Sequence, residues 1–175
     1  NNKGKNILYA VTNKDFYNMQ FFGVETYYEY LDNLKFLNSI ASELKVKIFV
    51  KPHPTEFDSI KYLKKTYSKL IFTKKNNKIL FKKIALTISF SSTMIEDSLS
   101  SKIPVVLLDR WKRYKHCLSE TNPKKKSTIY YITNKQDLLI CIDRILKNKK
   151  SCDVNKNFSP YKNFSNLFNQ MSYEK

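Results

Sequence analysis

The sequence predicts an α/β fold in which a mainly parallel sheet is covered by helices on both faces, and three observations lead there. Short apolar runs alternate with amphipathic stretches of helical period along the chain. The apolar runs show no strict polar alternation, as expected of strands buried on both faces. The length of 175 residues suits one well-packed domain, and a hydrophobic content of 42% with 14% aromatic residues is ample for a core.

The elements follow in order. Ile7 to Val11 is a short apolar run without helical period and opens the sheet. A loop over Asn13 to Gly23 precedes Tyr27, Tyr30, Leu31, Leu34, Leu37, Ala41 and Leu44, whose spacings of three and four give an amphipathic helix. Glu25 and Glu29 sit near its start, where the helix dipole favours negative charge. Lys47 to Val50 is the second strand, stopped by Pro52 and Pro54, since proline lacks the donor that a strand interior needs. Thr55 and Asp58 mark a helix start, with Phe57, Ile60, Leu63, Tyr67 and Leu70 on the inner stripe.

A brief strand over Leu70 to Phe72, a short helix around Ile79, Leu80 and Ile84, and a strand over Ala85 to Ser89 come next. A helix is expected from Ser92 to about Ser101, followed by the run Val105 to Leu108. Asp109 to Ser127 is charged and aperiodic and reads as a long surface loop with some helical turn, a kind of segment that often borders a site. Thr128 to Ile132 is the last strand, and Thr133 with Gln136 forms a capping-box pattern before Leu138, Leu139, Ile142, Ile145 and Leu146. The expected division is one domain over 1–150 and a polar tail over 151–175, with a helix over Tyr161 to Met171. Repeated strand–helix–strand units of this kind define a Rossmann-like architecture. Ligands there bind beyond the carboxyl ends of the strands, which selects the loops after Val11, Val50, Ser89 and Leu108.

Composition removes several function classes. Only Gly4 and Gly23 are glycine, so neither a P-loop nor a G-x-G-x-x-G fingerprint is present. Cys117, Cys141 and Cys152 show neither C-x-x-C spacing nor neighbouring ligands, which argues against a disulfide framework or a zinc site and fits a reducing compartment. No run of about 18 apolar residues occurs, and Asn1 to Lys5 lacks an apolar signal region, so a cytoplasmic location is expected. The net charge of +17 invites a polyanion. Only Arg110, Arg113 and Arg144 are arginine, however, and the lysines are dispersed, with Lys124, Lys125 and Lys126 the one run of three. Specific nucleic-acid readers favour arginine for its planar donor fork, so the surplus reads as a solvated surface, compatible with peripheral contact to an anionic membrane, the alternative being a non-enzymatic polyanion-binding module.

Two motifs carry chemistry. In Lys51-Pro52-His53-Pro54 the flanking prolines fix the backbone around one histidine at the end of a strand. Its imidazole suits a phosphate oxygen, with Lys51 a second cation nearby. The second motif is Ser89-Phe90-Ser91-Ser92-Thr93 leading into Met94-Ile95-Glu96-Asp97, where hydroxyls and free amides converge at a helix start. Thr93 and Glu96 also fit an ordinary capping box, whereas Ser91 and Ser92 are surplus to capping. Arg110-Trp111-Lys112-Arg113-Tyr114-Lys115-His116 mixes cations with aromatics. It reads equally as a contact for donor base, acceptor or lipid headgroup and as a solvated loop with Trp111 packed on the core.

These residues bear a resemblance. A K-P-H-P element after a strand, a Ser-Ser element opening a helix with an acidic residue, and then Ile103 to Asp109 are similar to the C-terminal donor-binding domain of GT-B transferases of bacterial surface-polysaccharide synthesis. Capsule Kdo transferases, sialyltransferases and polysialyltransferases with HP and SS/ST motifs match best, and CDP-glycerol glycerophosphotransferases more distantly. The resemblance covers roughly Ile7 to Leu146. It implies a nucleotide-sugar donor, CMP-linked or CDP-linked, with His53 at the leaving phosphate, Lys51 beside it, Ser91, Ser92 and Thr93 holding it, Glu96 reaching the ribose hydroxyls and Thr12 lining the cleft. It further implies a glycan or lipid-linked acceptor, no bound metal or other cofactor, and an N-terminal GT-B domain, in the same or another chain, that supplies the general base.

Overall fold

The computed structural model describes residues 5–12, 26–53 and 60–147. The expectations for the loop over 13–23, the helix start at Thr55 and Asp58, Pro54, Cys152 and the tail lie outside them. Six parallel strands form one sheet in the order β3-β2-β1-β4-β5-β6. These are β1 (Asn6–Ala10), β2 (Lys47–Lys51), β3 (Leu70–Phe72), β4 (Leu86–Ser89), β5 (Val105–Leu108) and β6 (Ile129–Ile132). The helices are α1 (Tyr27–Leu44), α2 (Ile60–Thr66), α3 (Asn77–Phe81), α4 (Met94–Ser100) and α5 (Lys135–Lys147). The order reverses direction between β1 and β4, so the switch point of this doubly wound sheet lies between these two strands.

Both faces are dry, which explains the unbroken apolar strand sequences. Ile7 and Tyr9 of β1, Ile48 and Val50 of β2, Ile88 of β4 and Val106 of β5 pack with Leu34 and Leu37 of α1 and Ile142 of α5. Leu8 and Ala10 face the other way, toward Leu80 and Phe81 of α3 and Met94 of α4. Val105, Leu107 and Ile129 continue that second layer against Ile95 and Leu99. Truncating a fully buried residue such as Ile88 would cost roughly 2–5 kcal/mol, so the sheet centre is a rigid base for its loops.

Local chemistry sets the helix ends. The capping box of α1 is Thr26 with Glu29: the Glu29 amide donates to Thr26 Oγ1 at 3.3 Å and the Thr26 amide donates to Glu29 Oε2 at 2.8 Å. At its far end Lys45 takes the left-handed conformation, φ 51°, that glycine would adopt without steric cost. The box expected at Thr133 and Gln136 does not form; Asn134 caps the helix instead, its Oδ1 accepting from the Asp137 amide at 2.9 Å. Asparagine is as good a cap as threonine, and α5 starts at Lys135 to suit the packing of Leu138 and Ile142.

Over 109–128 the chain forms turns and no helix, contrary to the helical turn expected there. Near its end Glu120 makes a bridge along the outer side of β6: its amide donates to the Ile129 carbonyl and its carbonyl accepts from Tyr131.

Candidate functional site at the sheet switch point

The loops after β1 and β4 meet at the switch point. β1 and β4 are in register through Ala10 and Ser89, and the buried Ser89 hydroxyl donates to the Ala10 carbonyl at 2.8 Å. Two residues further on, the Ser91 amide donates to Thr12 Oγ1 at 3.1 Å. Thr12 is buried, while Ser91 and Ser92 are partly open to solvent. These bonds give the two loops a fixed relation and leave the Ser91 hydroxyl for other partners.

That hydroxyl faces an imidazole. Ser91 Oγ lies 3.1 Å from His116 Nδ1, and His116 Nε2 lies 2.9 Å from Glu96 Oε1. Because a carboxylate only accepts, Nε2 donates to Glu96; with the ring neutral, Nδ1 is the nitrogen that accepts from Ser91. Glu96 Oε2, the second oxygen, is buried and has no partner among the described residues. An orphaned carboxylate oxygen is costly, and a ligand hydroxyl would relieve it.

The loop after β5 delivers His116. Asp109, 1% exposed, accepts from the Trp111 amide at 3.2 Å, the Tyr114 amide at 2.7 Å and the Tyr131 hydroxyl at 3.0 Å. Burial, this hydrogen bond and the Asp109 charge push the Tyr131 phenol up to about 12. Arg113 then grips Glu29 at the start of α1 through Nε to Oε1 at 2.7 Å and a second bond to Oε2 at 2.6 Å. Its guanidinium lies over the Phe90 ring, and Tyr114 packs between Phe90 and His116. Trp111 is 39% exposed beside Arg110 and is not a core residue.

The other expected residues stand at the start of α4 and the end of β2. Thr93 has helical backbone angles and makes no cap bond, so the Thr93–Glu96 capping box does not form and Glu96 is given to His116. Ser92 takes the capping role instead, its Oγ accepting from the Met94 amide at 3.3 Å. α4 spans only 7 residues, so its dipole is small. His53, half-buried, follows β2 beside β1, where the Val11 amide donates to the Lys51 carbonyl at 3.1 Å.

The Lys51 side chain turns toward the start of α3 and donates to the Lys75 carbonyl at 2.8 Å. Burial lowers its affinity for a proton, and Asp97 works the other way. There it lines a groove of about 1070 Å³ between α3 and α4 with Lys78, Lys82, Asp97 and Ser101. α4 borders both places, with Asp97 lining this groove and Glu96 meeting His116. At the switch point, by contrast, hydroxyl, imidazole and carboxylate converge.

The sequence matches no family model and no curated protein. Among solved structures the chain is similar to UDP-GlcNAc 2-epimerase from Methanocaldococcus jannaschii, with a TM-score of 0.55 and 16% identity over 96% of this chain. The fold is that of a GT-B-type Rossmann-like domain. The chain spans 45% of the epimerase's own length. It is also similar to the catalytic domain of cholesterol-alpha-glucosyltransferase from Helicobacter pylori, at a TM-score of 0.47 and 15% identity, covering 97% of this chain and 99% of that one. No helix among the described residues is long and apolar enough to cross a membrane.

Proposed function

We propose that this domain binds the nucleotide-linked sugar donor of a glycosyltransferase of surface-polysaccharide or capsule synthesis, the donor being CMP-linked. The observation that carries this reading is the convergence of Thr12, Ser91, Ser92 and Glu96 at the switch point, where Rossmann-like sheets hold nucleotides. Ser91 and Ser92 hold the phosphate with Thr93, and Glu96 Oε2 accepts from a ribose hydroxyl. His53 donates a hydrogen bond to the leaving phosphate from the neighbouring strand end, whereas Lys51, expected beside it, is engaged at the Lys75 carbonyl. Transfer to a glycan or lipid-linked acceptor needs a second GT-B domain that provides the base, and the domain itself needs no bound metal.

Calorimetric titration with CMP, CDP and UDP tests the reading. CMP is expected to bind best, and Ser91→Ala or His53→Ala to weaken it about tenfold, or roughly 1.4 kcal/mol. No binding of any nucleotide, or unchanged affinity in both variants, refutes it. Selective UDP binding favours a UDP-sugar domain, a reading supported by the fold shared with the epimerase. Selective use of CDP-glycerol favours glycerophosphate transfer.

A further inference from the structure

Nucleotide binding leaves His116 unexplained. A phosphate held by hydroxyls and amides does not call for an imidazole fixed on both sides by a serine and a glutamate. The arrangement has three parts: a partly exposed hydroxyl, an imidazole nitrogen 3.1 Å away, and a carboxylate 2.9 Å from the far nitrogen. Such a chain activates a serine, because the imidazole takes the hydroxyl proton as the oxygen attacks and the carboxylate stabilises the imidazolium that forms.

We propose that Ser91, His116 and Glu96 form a nucleophilic relay in which Ser91 is acylated by carboxylic esters. This goes beyond the nucleotide reading and stands on side-chain geometry alone. Ser91 Oγ bonds to the ester carbonyl carbon while its proton passes to His116 Nδ1. The ester C–O bond breaks with its electron pair on the departing oxygen, which takes the proton from His116 and leaves as the alcohol. Water then attacks the acyl-serine, giving one proton to His116; the Ser91 C–O bond breaks, Ser91 recovers the proton, and the carboxylic acid is released. Ser91 and His116 are the catalytic residues, and Glu96 is a positioning residue that fixes the ring.

The surroundings fit this assignment. His116 is 20% exposed at its side chain and Glu96 44%, so the ring is sheltered while the side chain of its partner meets solvent. Cys117, the neighbouring nucleophile, is held in its thiol form: burial and the Glu96 charge push its pKa up, and Lys115 offsets this only in part.

The test is covalent labelling of the full chain with an alkyl fluorophosphonate, which loses fluoride to an activated serine. Intact mass and peptide mapping are expected to show one phosphonyl adduct on Ser91 in the wild type and none in Ser91→Ala. His116→Ala should slow labelling by roughly 100-fold or more, in line with the loss of a general base. Glu96→Ala should slow it too, and Glu96→Gln, which still accepts from Nε2, should restore part of the rate. Absence of an adduct on wild-type Ser91, or an adduct elsewhere, overturns the proposal with no variant required. Equal rates in His116→Ala, folded by circular dichroism, overturn it as well. None of these outcomes bears on nucleotide affinity, which the calorimetry measures separately.

Discussion

Replacing Asp109 by alanine tests how the site is assembled. Its carboxylate receives three hydrogen bonds while almost completely removed from water. A hydrogen bond to a charged group contributes roughly 1.5–3 kcal/mol, less where the abandoned partner regains water. The Tyr131 hydroxyl is half-buried and keeps most of that loss, about 1.5 kcal/mol, whereas the loop amides of Trp111 and Tyr114 recover about half of theirs. The variant should therefore be about 3 kcal/mol less stable, a large share of the roughly 5–15 kcal/mol of a typical domain. Asp109→Asn keeps one acceptor oxygen and should lose about half as much. Urea unfolding followed by circular dichroism measures both, read as a shift in midpoint at constant slope. A loss below about 1 kcal/mol for the alanine variant would refute the view that this buried carboxylate holds the loop over the switch point.

Two further outcomes follow from the same physics. Tyr131 keeps its proton to about pH 12 when folded against 10.0 for a free phenol, so between those values the unfolded chain binds fewer protons than the folded one. Its stabilising effect is complete below pH 10 and falls as pH rises toward 12; Tyr131→Phe should lose stability less steeply over that window in parallel denaturation series. Lys45→Gly removes the steric cost of a left-handed lysine at the end of α1 and should raise stability by roughly 0.5 kcal/mol, seen as a higher Tm.

The sheet was legible because its strands are buried on both faces, so Ile7 to Val11 and Val105 to Leu108 stand out as uninterrupted apolar runs. The rule that ligands lie beyond strand ends then points at Thr12 and Ser91 without any knowledge of strand order, and the two residues do touch. His116 was not legible as a site residue. Its place depends on Asp109 and on the Arg113–Glu29 pair, a contact between residues 84 apart, and aperiodic loop sequence does not encode such reach. The faint signals were that the chain has only two histidines and that one follows a cluster of cations and aromatics. The Thr93–Glu96 box misled for a related reason: the local pattern is correct, but a histidine 20 residues further on competes for the same carboxylate. Likewise two overlapping cap patterns preceded α5, and core packing selected Asn134.

The bridge at Glu120 explains why the connection after β5 is so long. β6 is the outermost strand on its side, and a strand with a bare row of donors and acceptors is a template for pairing with a second molecule. Glu120 occupies the middle of that row through its bonds to Ile129 and Tyr131. At the opposite margin β3 is only 3 residues long and gives a foreign strand little to pair with. The strands are rich in valine, isoleucine and leucine and contain no glycine, so exposed edges would favour aggregation. The loop that brings His116 to the switch point thus also seals one rim of the sheet, and its length answers both demands.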